Sequence, residues 1–250
     1  MTSPFDLTGL TLLVTGAGRG LGRAAAKLLA ASGAHVVGVS RTLSELATLK
    51  AEIEAAGGGA DIARLDVTDR AAVRALIAGL PALDGCINNA GWNNPQHALE
   101  VDDETFDFMV DVNLRAAFTV AQAVARKLKA QGRGGSIVNM SSQMGHVGGP
   151  LRSVYCMTKF GLEGMTKAMA LEWAPHGIRV NTLCPTFIRT PLGEQTLKNP
   201  ERRAWILSKI KLGRVGEIED LMGPVVFLAS DASAMMTGTH LIVDGGWTAE

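Results

Sequence analysis

One tyrosine stands in the 250 residues, and a lysine follows it four places on, in Tyr155-Cys156-Met157-Thr158-Lys159. On a helix that spacing puts both side chains on one face. A free phenol titrates near about 10, too high for proton exchange with a carbonyl or alcohol oxygen at neutral pH. A neighbouring ammonium favours the phenolate and lowers that value. Tyr155 is therefore expected to act as acid and base, tuned by Lys159. Ser142, in Asn139-Met140-Ser141-Ser142, ends the preceding strand, where its hydroxyl can bind the same oxygen. A tyrosine and a lysine four apart occur on many helices, so the pair needs an independent companion.

That companion is the glycine loop Thr15-Gly16-Ala17-Gly18-Arg19-Gly20-Leu21-Gly22. Glycines let the backbone turn tightly and approach a diphosphate, and the helix that follows presents free N–H groups and a positive dipole end. The spacing is T-G-x3-G-x-G. A G-x-G-x-x-G loop begun at Gly16 would need glycine where Leu21 stands. Dinucleotide folds that take NAD usually place an acid at the end of the second strand, on the ribose 2′-hydroxyl. Residues 38–41 hold none; Ser40 is followed by Arg41, and Arg19 sits in the loop. Two guanidinium groups can grip a 2′-phosphate that an acid would repel. NADP(H) is the expected cofactor, with NAD(H) as the alternative; in the bland reading both arginines are solvated surface.

Short apolar strands must carry these groups. Strands are expected at 10–15, 35–39, 60–65, 84–88, 135–140, 178–183 and 239–243. Helices are expected at 20–31, 43–56, 70–78, 103–131, 154–175 and 219–228. The stretch 190–216 reads as irregular, with a helical piece at 201–210. The early strands look apolar throughout, as when both faces are covered. Repeated β-α-β units predict one doubly wound α/β domain of Rossmann type over residues 1–250. It would hold seven parallel strands, helices on both faces and ligands at the carboxyl ends of the strands.

Charge balances at 24 basic and 24 acidic residues, so no nucleic-acid partner is expected. The three cysteines, at 86, 156 and 184, show neither metal spacing nor a disulfide framework. No signal peptide or membrane span is read, and a cytoplasmic protein acting on a small molecule is the expectation.

The sequence resembles the short-chain dehydrogenase/reductase family over essentially its whole length. The matching segments are TGAGRGLG at 15–22, LDV at 65–67, NNAG at 88–91 and DVNL at 111–114. They continue with NMSS at 139–142, YCMTK at 155–159, IRVN at 178–181 and VDGG at 243–246. The resemblance implies that Gly16, Gly20 and Gly22, with Leu21, cradle the diphosphate, and that Ser40 and Arg41 flank the adenosine ribose. Asp66 would bind the adenine amino group beside Val67, unless it only caps the next helix. Asn89, Ala90 and Gly91 would line the cofactor. Asn113 would hold a water that links Lys159 to solvent. Ser142 would bind the substrate oxygen, and Lys159 the nicotinamide ribose. Pro185, Ile188 and Thr190 would bound the nicotinamide end, Thr190 at the carboxamide. A departure is Pro185-Thr186, where the family usually has Pro-Gly. The nearest likeness is to the dicarbonyl/L-xylulose reductase branch, through Val39-Ser40-Arg41-Thr42, Ser141-Ser142-Gln143 and Val154-Tyr155-Cys156. That branch uses NADP, and bacterial sugar and polyol dehydrogenases share most of its motifs.

Substrate contacts are expected from Trp92, Asn93, Gln143, His146 and Phe187, with a mobile lid over about 186–215 that includes Leu192 and Trp205. Their polar groups favour a sugar, polyol or small diketone. A 3-oxoacyl-thioester reductase is the alternative enzyme, drawing on Arg202, Arg203, Lys209 and Lys211. A dinucleotide-binding sensor without turnover is the alternative of another kind. Family resemblance also implies a homotetramer built through the two long helices.

Overall fold

Leu12, Leu13 and Val14 are almost wholly buried, and their strand sends them alternately to two opposite cores. A computed structural model describes residues 3–190 and 196–249. The chain runs β1 (Thr11–Thr15), α1 (Gly20–Ala31), β2 (His35–Ser40), α2 (Leu43–Ala55), β3 (Gly59–Arg64), α3 (Arg70–Gly79) and β4 (Gly85–Asn88). It continues with α4 (Asp103–Val110), α5 (Ala116–Gln131), β5 (Gly135–Met140), α6 (Ser153–Trp173), β6 (Ile178–Pro185), α7 (Pro200–Lys209), α8 (Glu219–Ala229) and β7 (His240–Val243).

The strands form one sheet in the order β3-β2-β1-β4-β5-β6-β7, and every neighbouring pair is parallel. Leu12 and Val14 pack with Ala26 and Leu29 of α1, Leu46 of α2 and Val225 of α8. Leu13 packs on the other face with Val73 of α3, Val120 and Val124 of α5 and Met169 of α6. The expected doubly wound sheet is thus present, with both faces covered. The chain leaves β3 at one edge and returns on the far side of β1 as β4. That reversal opens a crevice at the carboxyl ends of β1 and β4, where such sheets bind ligands.

Three expectations need correction. The third strand is Gly59–Arg64, and it is not apolar throughout. It lies at the sheet edge with Asp61 and Arg64 exposed, as an edge strand that must resist further pairing. The expected single helix 103–131 is broken by a π turn at Asp111–Arg115. Within the irregular stretch, α7 runs one residue earlier at each end than expected. Leu192 lies outside the described residues. No helix among the described residues is long and apolar enough to cross a membrane.

Candidate active site

The glycine loop leaves β1 and enters α1 with Gly16 at φ 68° and Gly20 at φ 57°, values that favour glycine. A Cβ on Gly22 would collide with the Gly16 carbonyl, so this glycine closes the loop on itself. A Cβ on Gly20 would meet nothing within 4 Å; the loop is open there, at the start of α1. Arg19 stands at the N-cap of α1 and supplies no side-chain cap. Positive-φ glycine, open space and uncapped helix amides together fit a diphosphate. Thr15 Oγ1 accepts from Asn89 N at 2.9 Å and Ala90 N at 3.0 Å, and Asn89 Nδ2 donates to Thr15 O at 3.0 Å. Asn89 therefore braces the loop, satisfying backbone with its side chain.

Arg19 and Arg41 are both exposed beside this crevice. Ser40 Oγ faces Gly18, where an added Cβ would stand 3.0 Å from it. The same Cβ would stand 2.5 Å from Glu45 Oε2. Glu45 is an acid in the first turn of α2, beyond the window in which sequence reasoning looked for one. Asp66 Oδ1 accepts from Thr68 N at 3.0 Å and Thr68 Oγ1 at 2.8 Å. Asp69, not Asp66, caps α3, accepting from Ala72 N at 3.0 Å. Burial is the largest single influence on Asp66 and opposes its ionisation. The Thr68 hydrogen bonds and the charge of Arg41 together outweigh it, so its pKa falls below the ordinary value.

Beyond β5 the chain makes a short 3-10 turn at Gln143–Gly145, capped by Ser142. Ser142 Oγ accepts from Met144 N at 3.1 Å and donates to Gln143 Oε1 at 2.7 Å. The first turns of α6 bring Tyr155 and Lys159 to the same place, with Lys159 Nζ 5.6 Å from the Tyr155 ring centroid. Lys159 Nζ donates to Met140 O at 2.8 Å. Asn113 sits in the π turn, a local widening that re-aims side chains and recurs at functional sites. Asn113 Oδ1 accepts from Trp92 N and its Nδ2 donates to Trp92 O, each at 2.7 Å. A Cβ on Gly91 would lie 3.4 Å from Asn113 Oδ1 and 4.0 Å from Lys159 Nζ, so Gly91 borders both groups.

Burial dominates the titration of the pair. It raises the Tyr155 pKa above 10.0, against smaller lowering effects from the hydrogen bond with Ser142 and the charge of Arg152. It pushes Lys159 down to about 8. The expected lowering of the tyrosine by its ammonium neighbour is therefore corrected for the protein's own groups. Lys159 is itself desolvated and turned onto the Met140 carbonyl, so the cost of burying charge prevails.

A cavity of about 220 Å³ is lined in part by Met144, Leu151, Arg152, Phe187, Arg202 and Trp205; Tyr155 is not on its wall but packs in the same apolar cluster as Met144, Phe187 and Trp205. Phe187 lines this cavity, and its ring stacks at 5.8 Å on Trp247, which Trp205 meets edge-on at 5.2 Å. Like Ser142 and Tyr155, the other residues expected on the substrate side stand outside its lining. Trp92 does not line this cavity; it packs edge-on against Phe108 at 5.0 Å. His146 also lies off its wall, with Nε2 3.4 Å from Cys184 Sγ and its ring 4.4 Å from that of His240. Burial, the main cause, lowers the His146 pKa. Gln143 is buried and orients Ser142. Asn93 Oδ1 and Thr186 Oγ1 are buried without hydrogen-bond partners among the described residues. Thr186 directly follows Pro185, the last residue of β6, and a buried hydroxyl left free there suits a ligand that brings polar groups. Ile188 is buried, and Thr190 closes the described stretch before α7. Arg152 and Trp247 escaped the sequence reasoning because no motif marks them.

A family model described as Enoyl-(Acyl carrier protein) reductase matches residues 16–248. An L-xylulose reductase of Bos taurus is 43% identical over 243 residues, covering 97% of this chain and 98% of that protein. An L-rhamnose 1-dehydrogenase (NAD(P)(+)) of Azotobacter vinelandii is 40% identical over 245 residues, covering 94% of this chain and 95% of the relative. Among solved structures, a gluconate 5-dehydrogenase from Burkholderia cenocepacia J2315 in complex with NADP and tartrate superposes with a TM-score of 0.95 at 36% identity. It matches 99% of this chain and 98% of its own.

Proposed function

The chain belongs to the short-chain dehydrogenase/reductase family, and on that premise we propose that it is an NADP(H)-preferring oxidoreductase of small polar carbonyls and secondary alcohols, in the sugar and polyol class. The convergence of Ser142, Tyr155 and Lys159 at the ends of β5 and α6 carries this reading. Relatives matched over nearly their whole length are named for such substrates, which supports it over thioester reduction. An intact proton-transfer set also argues against a sensor without turnover.

When bound, the nicotinamide supplies the carbon that gives or takes hydride. The chain's own residues do the rest. Ser142 anchors the reacting oxygen, held in one rotamer by Gln143 and Met144 N. Tyr155 gives a proton to that oxygen in reduction and takes one in oxidation. Lys159 would hold the nicotinamide ribose, while Asn113 keeps the loop beside Lys159 in place. Gly16, Gly20, Leu21 and Gly22 hold the diphosphate; Asp66 and Val67 meet the adenine; Asn89 and Ala90 line the middle. Pro185, Ile188 and Thr190 bound the far end. Arg19 and Arg41, with Ser40, select the 2′-phosphate.

A homotetramer is part of this reading. Phe106, Phe108, Phe118, Met157 and Phe160 are all exposed, and all lie on α4, α5 or α6, the elements expected to form it. Three free cysteines suit a reducing compartment such as the cytoplasm.

The test is initial-rate oxidation of NADPH, and separately of NADH, over ketoses, small diketones, keto-aldonates and an acetoacetyl thioester. Turnover of sugar-class carbonyls with NADPH ahead supports the reading. Faster NADH oxidation removes the roles given to Arg19 and Arg41, and turnover of the thioester alone moves the chain to acyl reduction.

A further inference from the structure

Arg152 is only 7% exposed, yet its Nη1 has no hydrogen-bond partner among the described residues. It stands at the N-cap of α6, a helix of 21 residues, where the positive end of the dipole already disfavours a cation. Leu151, just before it, is held at φ 62°, the one non-glycine at positive φ among the described residues. Such a conformation persists only where the surroundings fix it. Gln96 N donates to the Leu151 carbonyl at 3.2 Å, which helps set the backbone from which Arg152 projects.

Arg152 and Arg202 of α7 both line this cavity, whose wall residues Met144, Phe187 and Trp205 pack in one cluster with Tyr155. Burial and then the charge of Arg202 work against the Arg152 cation. Glu201 is the acid on the cavity wall; it is exposed, and no ion pair among the described residues joins it to Arg152. The remaining wall is largely apolar, through Met144, Phe187, Trp205 and Ile206. Buried guanidinium groups are normally paired. Here the helix end, the second arginine and the burial all call for an anion that no described residue provides.

Resting on the hydride-transfer reading of this same site, we infer that Arg152, assisted by Arg202, binds the carboxylate of the substrate, which is therefore a sugar acid and not a neutral ketose or polyol. The planar guanidinium matches a carboxylate by paired hydrogen bonds. Arg152 precedes Tyr155 by three residues, so an acid anchored there sends its hydroxylated chain toward Ser142 and Tyr155. Glu201 on the wall favours a monoanion over a phosphate dianion by like-charge repulsion. The balanced reaction is aldonate + NADP⁺ → keto-aldonate + NADPH + H⁺. Hydride leaves the secondary carbon for the nicotinamide, the hydroxyl proton goes to Tyr155, and the carboxylate stays intact.

The test uses a matched pair, a six-carbon aldonate and the alditol with the same secondary hydroxyls, each oxidised with NADP⁺. A sugar phosphate forms a third arm. In the unmodified enzyme the aldonate kcat/KM should exceed that of the alditol by about ten- to hundredfold, the worth of a charge-assisted hydrogen bond. In Arg152→Met that ratio should fall toward one through KM, and Arg152→Lys should keep part of it. Equal rates for aldonate and alditol overturn the inference and leave hydride transfer standing, and preference for the phosphate overturns it likewise. An Arg152→Met variant that slows both substrates equally shows Arg152 acting on Tyr155 and also overturns it. Thermal shift of the NADP⁺-loaded protein by aldonate reads binding without turnover. A shift that disappears in Arg152→Met upholds the acid site even if oxidation fails, which would sink the hydride reading alone. Absence of both shift and turnover sinks the two together.

Discussion

Both polar atoms of the Asn113 side chain are bound to the backbone of a single residue, Trp92, each at 2.7 Å. The π turn places Asn113 there, and it ties the loop after β4 to the helix beside Lys159. Leucine at 113 would leave the Trp92 N–H and C=O without their partner, at about 1–3 kcal/mol for each group left unsatisfied. Urea denaturation of Asn113→Leu should show a loss of at least about 1 kcal/mol, with turnover falling as the loop beside Lys159 loosens. Unchanged stability would mean that the clamp is dispensable.

Tyr155→Phe keeps the ring and removes the proton. Turnover should fall by about two to four orders of magnitude. Cofactor affinity, read by NADPH fluorescence, should change little. Activity that survives the substitution would assign the acid/base role elsewhere.

Lys159 is stabilised for its chemistry and not for the fold. Its folded pKa is about 8, below the ordinary 10.5. Between those values the unfolded chain binds more protons, so this group's contribution to stability rises with pH across the window. Below about 8 the cost of the buried charge is fully present. Lys159→Met should therefore raise Tm near neutral pH, and the gain should shrink as pH climbs toward the unfolded value. The lost hydrogen bond to Met140 offsets part of it. Activity should collapse in the same variant. A Tm gain that grows with pH would reverse the assigned sign.

In the proposed reading, cofactor choice rests on a local balance between Arg19, Arg41 and the acid at Glu45. Arg41→Ala should cut the NADPH-over-NADH ratio of kcat/KM by about tenfold or more, chiefly through NADPH. Glu45→Gln should move the ratio the other way, since a carboxylate against Gly18 repels a phosphate nearby. If Glu45→Gln weakens NADPH instead, the carboxylate orients an arginine and does not oppose the phosphate.

Phe118 on α5 and Phe160 on α6 are 43% and 49% exposed. A double change to glutamate should shift light-scattering mass from tetramer to a smaller species, because charge at an apolar interface is costly to bury. A mass of one chain for the unmodified protein would remove the tetramer from the reading.

The order of strands and helices was legible because covered parallel strands and amphipathic helices write their periods into the chain. The glycine loop, Ser142, Tyr155 and Lys159 were legible because their chemistry depends on residue type at short spacing. The edge position of β3 was not, since which strand lies outermost depends on crossovers and not on its own residues. The π turn at Asp111–Arg115 was hidden because one extra residue in a helix leaves its composition unchanged. The titration of Tyr155 was misread because spacing reports proximity, whereas burial is a property of everything packed around it. The contacts of His146 with Cys184 and of Trp92 with Phe108 were not legible either, because they depend on tertiary packing. By itself the sequence determined the reaction class and the parallel sheet. Only the folded chain decided what the cavity recognises, because a buried arginine declares its missing partner only once everything that surrounds it is in place.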